Sequence, residues 1–238
     1  MNPRALALMA AAAAAPALAA EAQCSARSSA QPPAVVELYT SEGCSSCPPA
    51  DRWLSGFKGR SDVLALAFHV NYWDNLGWPD RFATAATTER QHQLRRASGA
   101  PYVYTPQVVH NGRDWRGWGD GAPQPLPRTP LVVNLERSGV RVTATLAGAA
   151  PGEALAGYWV VLEDGHASRV RAGENAGTTL KHDHVVTLYR PLPAWRGTPA
   201  EAPTLDLPPP QGGSARRVAF VVTDAQGTKP LQLAVLGC

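Results

Sequence analysis

The chain has 238 residues, with 22 Lys and Arg against 19 Asp and Glu and a formal net charge of +3. That excess is too small for a nucleic-acid surface, and its basic positions (Arg95–Arg96, Arg190, Arg216–Arg217) are scattered and not interleaved with aromatics. A 45% hydrophobic content supplies a sizeable core, while 22 prolines and 21 glycines exclude a simple helical bundle.

Residues 1–20 read as a secretory signal peptide, with Arg4 as the positive n-region and Ala17-Leu18-Ala19 as a small-x-small cleavage site. The apolar stretch from Ala5 to Ala15 is too short to span a bilayer. A periplasmic or secreted location with a bacterial-type leader is therefore expected. Disulfides persist in such a compartment. Cys44 and Cys47 pair naturally with each other, which leaves Cys24, in the N-terminal segment 21–33, to pair with Cys238.

Val35–Tyr39 is a β-branched and aromatic run of strand type. Thr40–Gly43 breaks it, Cys44 and Cys47 follow, and Pro48–Pro49 suit only the first turn of a helix. Asp51–Lys58 continues that helix, with Trp53, Leu54 and Phe57 on one face. Val63–Val70 is an unbroken apolar run, as in a strand covered on both faces, so the order is βαβ with a parallel sheet. An irregular aromatic loop, Asn71–Pro79, precedes a helix over Phe82–Ser98 that Gly99 stops. Gln107–His110 and Arg113–Trp115 form a hairpin about Asn111-Gly112.

Gly117–Pro130 is rich in Gly and Pro, and 123–130 is taken as a linker between a domain at 34–122 and a β-rich domain at 131–238. Strands are expected at Leu131–Glu136, Val140–Leu146, Tyr158–Glu163, His184–Tyr189, Val218–Thr223 and Leu231–Leu236. Pro191–Gly213 reads as a long surface loop.

Two thiols at C-x-x-C spacing can close and reopen a small disulfide ring, and a helix N-terminus favours the reactive thiolate. Cys44 is then the attacking, more exposed thiol, and Cys47 the covered, resolving one. A residue before proline avoids the α region, so Cys47 is expected just outside the helix. Glu37, Glu42, His69 and Asp74 are candidate proton carriers. Tyr72, Trp73 and Trp78 make a packed lid or a docking surface. A competing reading joins Cys44, Cys47 and His69 as a soft Cu(I) site. His182 and His184 read as one solvated strand face. Gly173–Gly177 reads as a turn, with docking against the C-x-x-C face as its functional alternative.

Residues about 34–116 resemble a thioredoxin-like domain: the strand before Cys44, the Cys44-Ser45-Ser46-Cys47 motif at a helix start, and Thr105-Pro106 opening a strand. Gly43 stands where thioredoxin has an aromatic residue. The resemblance implies that Pro106 is cis and that the Thr105 backbone pairs with a substrate strand. The expected fold is an α/β thioredoxin-like domain followed by a mostly antiparallel β-sandwich-like domain. More narrowly, Glu37–Asp51, His69–Trp78, Tyr104–Val109 and Gly173–Gly177 are similar to the secreted domain-of-unknown-function family 1223. Three functions stay open: an exported thiol–disulfide oxidoreductase acting on protein thiols or disulfides with an upstream reductase or oxidase, a periplasmic copper-handling protein, and a non-catalytic binding module. No cofactor and no membrane span are expected.

Overall fold

A computed structural model describes residues 23–238. The expected leader, 1–20, lies outside the described residues. No helix among the described residues is long and apolar enough to cross a membrane.

The strands in chain order are β1 (Gln23–Arg27), β2 (Ala34–Thr40), β3 (Val63–His69), β4 (Gln107–His110), β5 (Arg113–Asp114), β6 (Val132–Ser138), β7 (Arg141–Ala147), β8 (Ala154–Asp164), β9 (His166–Arg169), β10 (Thr179–His182), β11 (Val185–Arg196), β12 (Thr204–Asp206), β13 (Ala215–Asp224) and β14 (Pro230–Leu236). Two α-helices, α1 (Pro48–Ser55) and α2 (Ala85–Ser98), follow β2 and β3. One sheet has eight strands in the order β14-β13-β8-β11-β3-β2-β4-β5, a second has four in the order β1-β6-β7-β12, and β9 and β10 pair only with each other.

This arrangement corrects the expected fold class. Strands make up 42% of the structure and helices 12%, and it is not an α/β thioredoxin-like domain followed by a separate β-domain. β3 pairs with β2 in parallel along its whole length, and its other edge meets β11 at Ala67 and Val185. The Ala67 amide donates to the His184 carbonyl at 2.8 Å. One sheet therefore runs across the expected boundary. The shift in composition at Leu131 marks a change from helical to hairpin connections; which strand lies beside β3 leaves no local trace in the sequence.

Alternation along the strands sets the layers. In β2, Ala34, Val36 and Leu38 face α1 and pack with Ala50, Leu54 and Phe57. Val35 and Tyr39 face the opposite way, into a core shared with Phe68, Tyr158, Val160 and Leu94 of α2. Likewise Trp159 and Val161 of β8 point into the core against the four-stranded sheet, with Val133, Leu135, Val142 and Ala144. Here two sheets pack face to face, and the larger of them also carries the helices, so no separate β-sandwich-like domain is formed.

Helix α2 starts later than expected because Thr84 caps it. Its hydroxyl accepts from the Thr87 amide at 3.1 Å, and the Thr87 hydroxyl accepts from the Thr84 amide at 3.0 Å. Part of the expected Pro191–Gly213 loop is strand, since β11 runs to Arg196 and β12 lies within it. Pro191 and Pro193 are tolerated because β11 meets β3 only at Val185, which leaves the rest of that edge free, and the ladder with β8 shifts register between Leu192 and Trp195. The expected Cys24–Cys238 bridge is present, with Cα atoms 6.6 Å apart, and holds β1 to the end of the chain.

The α2 side of the sheet holds one buried ion pair. Arg90 Nη2 lies 2.7 Å from Glu37 Oε1, both side chains are inaccessible to solvent, and the Tyr39 hydroxyl donates to Glu37 Oε2 at 2.6 Å. Arg90 also donates to the Gly227 carbonyl and lies over the Tyr158 ring at 4.8 Å. Truncating one partner strands the other charge. Arg90→Ala is expected to lower unfolding free energy by about 3–5 kcal/mol, read by urea denaturation. A loss under about 1 kcal/mol would show that the pair is not structural.

Candidate functional site

The second disulfide joins Cys44 and Cys47, with Cα atoms 5.4 Å apart. Cys47 is the N-cap of α1, and Pro48 and Pro49 occupy the first helical positions, where a missing amide costs no hydrogen bond. The Cys47 carbonyl accepts from the Ala50 and Asp51 amides at 2.9 and 3.1 Å. Cys47 thus lies just outside the helix, as expected, although its own angles (φ −78°, ψ −35°) are helical, which a residue before proline usually avoids. The expected difference in exposure between the sulfurs is absent: Cys44 and Cys47 are both 0% exposed, and only Ser45 and Ser46 between them reach solvent.

The far half of the chain reaches the disulfide turn. The turn Gly173–Gly177 forms the tip of the β9–β10 hairpin. Asn175 Nδ2 donates to the carbonyls of Glu42 (2.9 Å) and Cys44 (3.0 Å). Glu174 Oε2 accepts from the Ser45 amide (3.0 Å) and the Ser45 hydroxyl (2.7 Å). On another side stands the aromatic loop. A side chain at Gly43 would put its Cβ 3.0 Å from Trp73 Cβ, so the loop packs closely on this glycine. Trp73 Nε1 donates to Thr105 Oγ1 at 2.8 Å, and the Thr105–Pro106 peptide is cis, as the resemblance implied.

Behind the disulfide turn lies a buried set of acids and imidazoles. Asp80 Oδ2 is 2.6 Å from His69 Nδ1 and accepts from the Glu42 amide at 2.8 Å. Glu42 Oε2 accepts from Trp78 Nε1 at 2.7 Å, and Glu42 Oε1 lies 3.3 Å from His182 Nε2. The His69 and His182 rings meet edge-on with centroids 5.0 Å apart. Asp51, on α1, accepts from Thr40 Oγ1 at 3.1 Å. A groove of about 250 Å³, lined by Pro48, Asp51, Arg52 and Thr178–His182, reaches this set from solvent.

The structure thus brings Glu42 and His69 together through Asp80 and His182 and places the other expected carriers elsewhere. Glu37 is on the α2 face, in the ion pair with Arg90. Asp74 accepts from the Asp80 amide at 3.1 Å and so braces the loop that presents Asp80. Among the described residues no group of three or more His, Cys, Asp and Glu side chains is arranged to hold a metal ion, and Cys44 and Cys47, which the competing copper reading joins to His69, are bonded to each other as a disulfide. His182 and His184 are buried rather than solvated, and they diverge: His184 faces Arg217 and Asp164. The Gly173–Gly177 turn follows its functional alternative and docks against the C-x-x-C segment through Glu174 and Asn175, whereas Asp51, Asp80 and the role of His182 escaped sequence reasoning.

Burial pushes the His69 imidazolium down, but Asp80, with Asp51 and Glu42 beyond it, outweighs burial and holds it above its ordinary value. Burial pushes Asp80 up, and the His69 charge with the Glu42 and Phe82 amides overcomes this and holds it low. Burial also pushes Glu42 up, but contacts from His182, Ser168 and Trp78 bring it below its ordinary value. Asp51 is raised, because burial exceeds the help of His182, His69 and Thr40.

This is a mixed-sheet protein with a buried C-x-x-C disulfide and, joined to the same turn through Glu42, a buried acid–imidazole cluster. Residues 35–223 match the model of a family described as a protein of unknown function (DUF1223), and the chain belongs to that family. It is similar to the crystal structure of protein AGR_C_4864 from Agrobacterium tumefaciens, at 27% identity and a TM-score of 0.60, over 85% of this chain and 93% of that one. It shares a fold with HBP35 of Porphyromonas gingivalis, at 18% identity and a TM-score of 0.54, over 87% of this chain and 75% of that one. No curated protein matches.

The His69–Asp80 pair should leave a signature in the pH dependence of stability. The raised His69 contributes stability that is complete below pH 6.5 and fades as pH climbs through its folded value. The lowered Asp80 contributes stability that is complete above pH 3.8 and fades as pH falls through its folded value. Asp80→Asn is therefore expected to cost most, about 3 kcal/mol, between these limits, with the difference from wild type shrinking on either side. Urea midpoints of both proteins from pH 3 to 9 would check it, and a difference that does not vary with pH would contradict it.

Proposed function

We propose that the protein is an exported thiol–disulfide oxidoreductase whose working pair is Cys44 and Cys47. The observation that carries this reading is the disulfide itself: Cys47 caps helix α1, and the carbonyl of Cys47 accepts from the amide of Asp51, one of the buried acids of the set that also holds Glu42, His69, Asp80 and His182. Two disulfides in the chain fit an oxidising compartment.

In the oxidised protein, a partner thiolate attacks one sulfur of the pair. The Cys44–Cys47 bond breaks, a mixed disulfide forms, and the other cysteine leaves as a thiolate that takes up a proton. A second partner thiolate then displaces the protein's cysteine. The partner becomes a disulfide, and the pair holds two electrons and two protons. The reverse steps reduce a partner disulfide. Thiolates are costly in a buried site, so proton uptake accompanies reduction. Asp51, held protonated to higher pH by its burial, and the groove past His182 give that proton a route.

A second reading, a fixed brace in a binding module, is favoured by the complete burial of both sulfurs. Activity separates the two. Pre-reduced protein is expected to accelerate insulin reduction in a thiol buffer, and Cys44→Ser to return the rate to background. Cys47→Ser should accumulate a mixed disulfide, visible by mass spectrometry. Equal rates for wild type and Cys44→Ser would sink the exchange reading.

A further inference from the structure

The β9–β10 hairpin is built unlike the rest of the fold. Its two four-residue strands pair only with each other, an arrangement that is marginal by itself. It leaves the large sheet through Gly165 (φ +75°) and rejoins it through His184 (φ +57°), both in the left-handed region that a non-glycine residue rarely adopts. Hydrogen bonds latch these two junctions to each other. The His184 amide donates to Asp164 Oδ1 at 2.7 Å and the Gly165 amide to Asp183 Oδ1 at 2.9 Å.

The tip is a rigid turn of its own. The Ala176 amide donates to the Gly173 carbonyl at 3.2 Å, and the Gly177 amide to the Val170 carbonyl at 3.0 Å. The four hydrogen bonds from the tip side chains, two from Asn175 and two to Glu174, all reach the segment Glu42–Ser45 that carries the disulfide. Asn175 is buried at the contact, while Glu174 is exposed. Exchange requires a thiolate to reach a sulfur along the S–S axis. With the tip seated, neither sulfur has any accessible surface.

We propose that the β9–β10 hairpin is a strap that gates the Cys44–Cys47 disulfide, with exchange proceeding only after Glu174 and Asn175 have lifted from Ser45, Glu42 and Cys44. The inference rests on the reading that this pair exchanges. The strap acts in two ways. Asn175 closes the approach to the sulfurs, and the Glu174 carboxylate, bound to the residue next to Cys44, opposes a thiolate there in the closed state. Opening relieves both. Glu174 and Asn175 are positioning residues, since neither takes part in bond exchange.

The test is the rate at which dithiothreitol reduces Cys44–Cys47 in native buffer. Dithiothreitol supplies two electrons and two protons and leaves as its cyclic disulfide, and each cysteine pair is read separately by alkylation and mass spectrometry. Asn175→Ala and Glu174→Gln are each expected to raise that rate about tenfold, the opening cost of one or two hydrogen bonds. Leu205→Ala, which weakens the four-stranded sheet away from the strap, should lower the melting temperature and leave the rate unchanged. Glu174 is exposed, so its variant keeps the test open if Asn175→Ala does not fold. Fast, equal rates in wild type and both strap variants would overturn the strap and leave the exchange reading standing. Rates that follow global stability alone, Leu205→Ala included, would also overturn it. A pair that no variant allows to be reduced short of unfolding would overturn both.

Discussion

The arrangement depends on one strand pairing. Where the free edge of β3 meets β11, at Ala67 and Val185, the two halves of the chain become one sheet. That junction lies two residues before His69 and directly after His184. It therefore fixes where the β9–β10 hairpin can go: across the turn that carries Cys44 and Cys47. Without that pairing the disulfide turn would be the open end of a βαβ unit, and the hairpin tip would have nothing to cover.

The second constraint is burial of charge. A carboxylate or imidazolium out of water is costly unless it is paired. The structure meets this twice, on opposite sides of β2. On the α2 side Glu37 and Arg90 are paired with no access to solvent, and they serve the core. On the α1 side Asp80 answers His69, Glu42 is met by Trp78 and His182, and Asp51 is left with the hydroxyl of Thr40 as its hydrogen-bond partner. Asp51 is the least compensated of these acids, and its ionisation is displaced upward accordingly.

How much of this was legible in the sequence depends on distance along the chain. The β2–α1–β3 unit could be read from short-range signals: a β-branched run, two prolines after the second cysteine, and an unbroken apolar strand. The C-x-x-C pair, the turn at Asn111-Gly112 and the Cys24–Cys238 bridge were equally local or followed from cysteine arithmetic. The separate domains did not survive, because the β3–β11 pairing joins residues more than 100 positions apart and alters neither composition nor periodicity. The same distance hid His182, whose partner lies at Glu42; the docking of Asn175 on Cys44 was offered only as an alternative for its turn. Asp80 is only eleven residues from His69 but sits in an irregular loop, where no period announces which side chain turns inward. Glu37 was legible as an anomaly, a charge in a buried strand, but which face it took depended on α2.

The central claim is that Cys44–Cys47 is a working redox pair rather than a brace. The most direct measurement is its reduction potential, from equilibration in dithiothreitol buffers with trapping of each cysteine pair. A working pair should titrate above about −300 mV, within reach of cellular thiol couples, while the Cys24–Cys238 staple stays oxidised. A Cys44–Cys47 potential below about −300 mV, alongside that of the staple, would contradict the account.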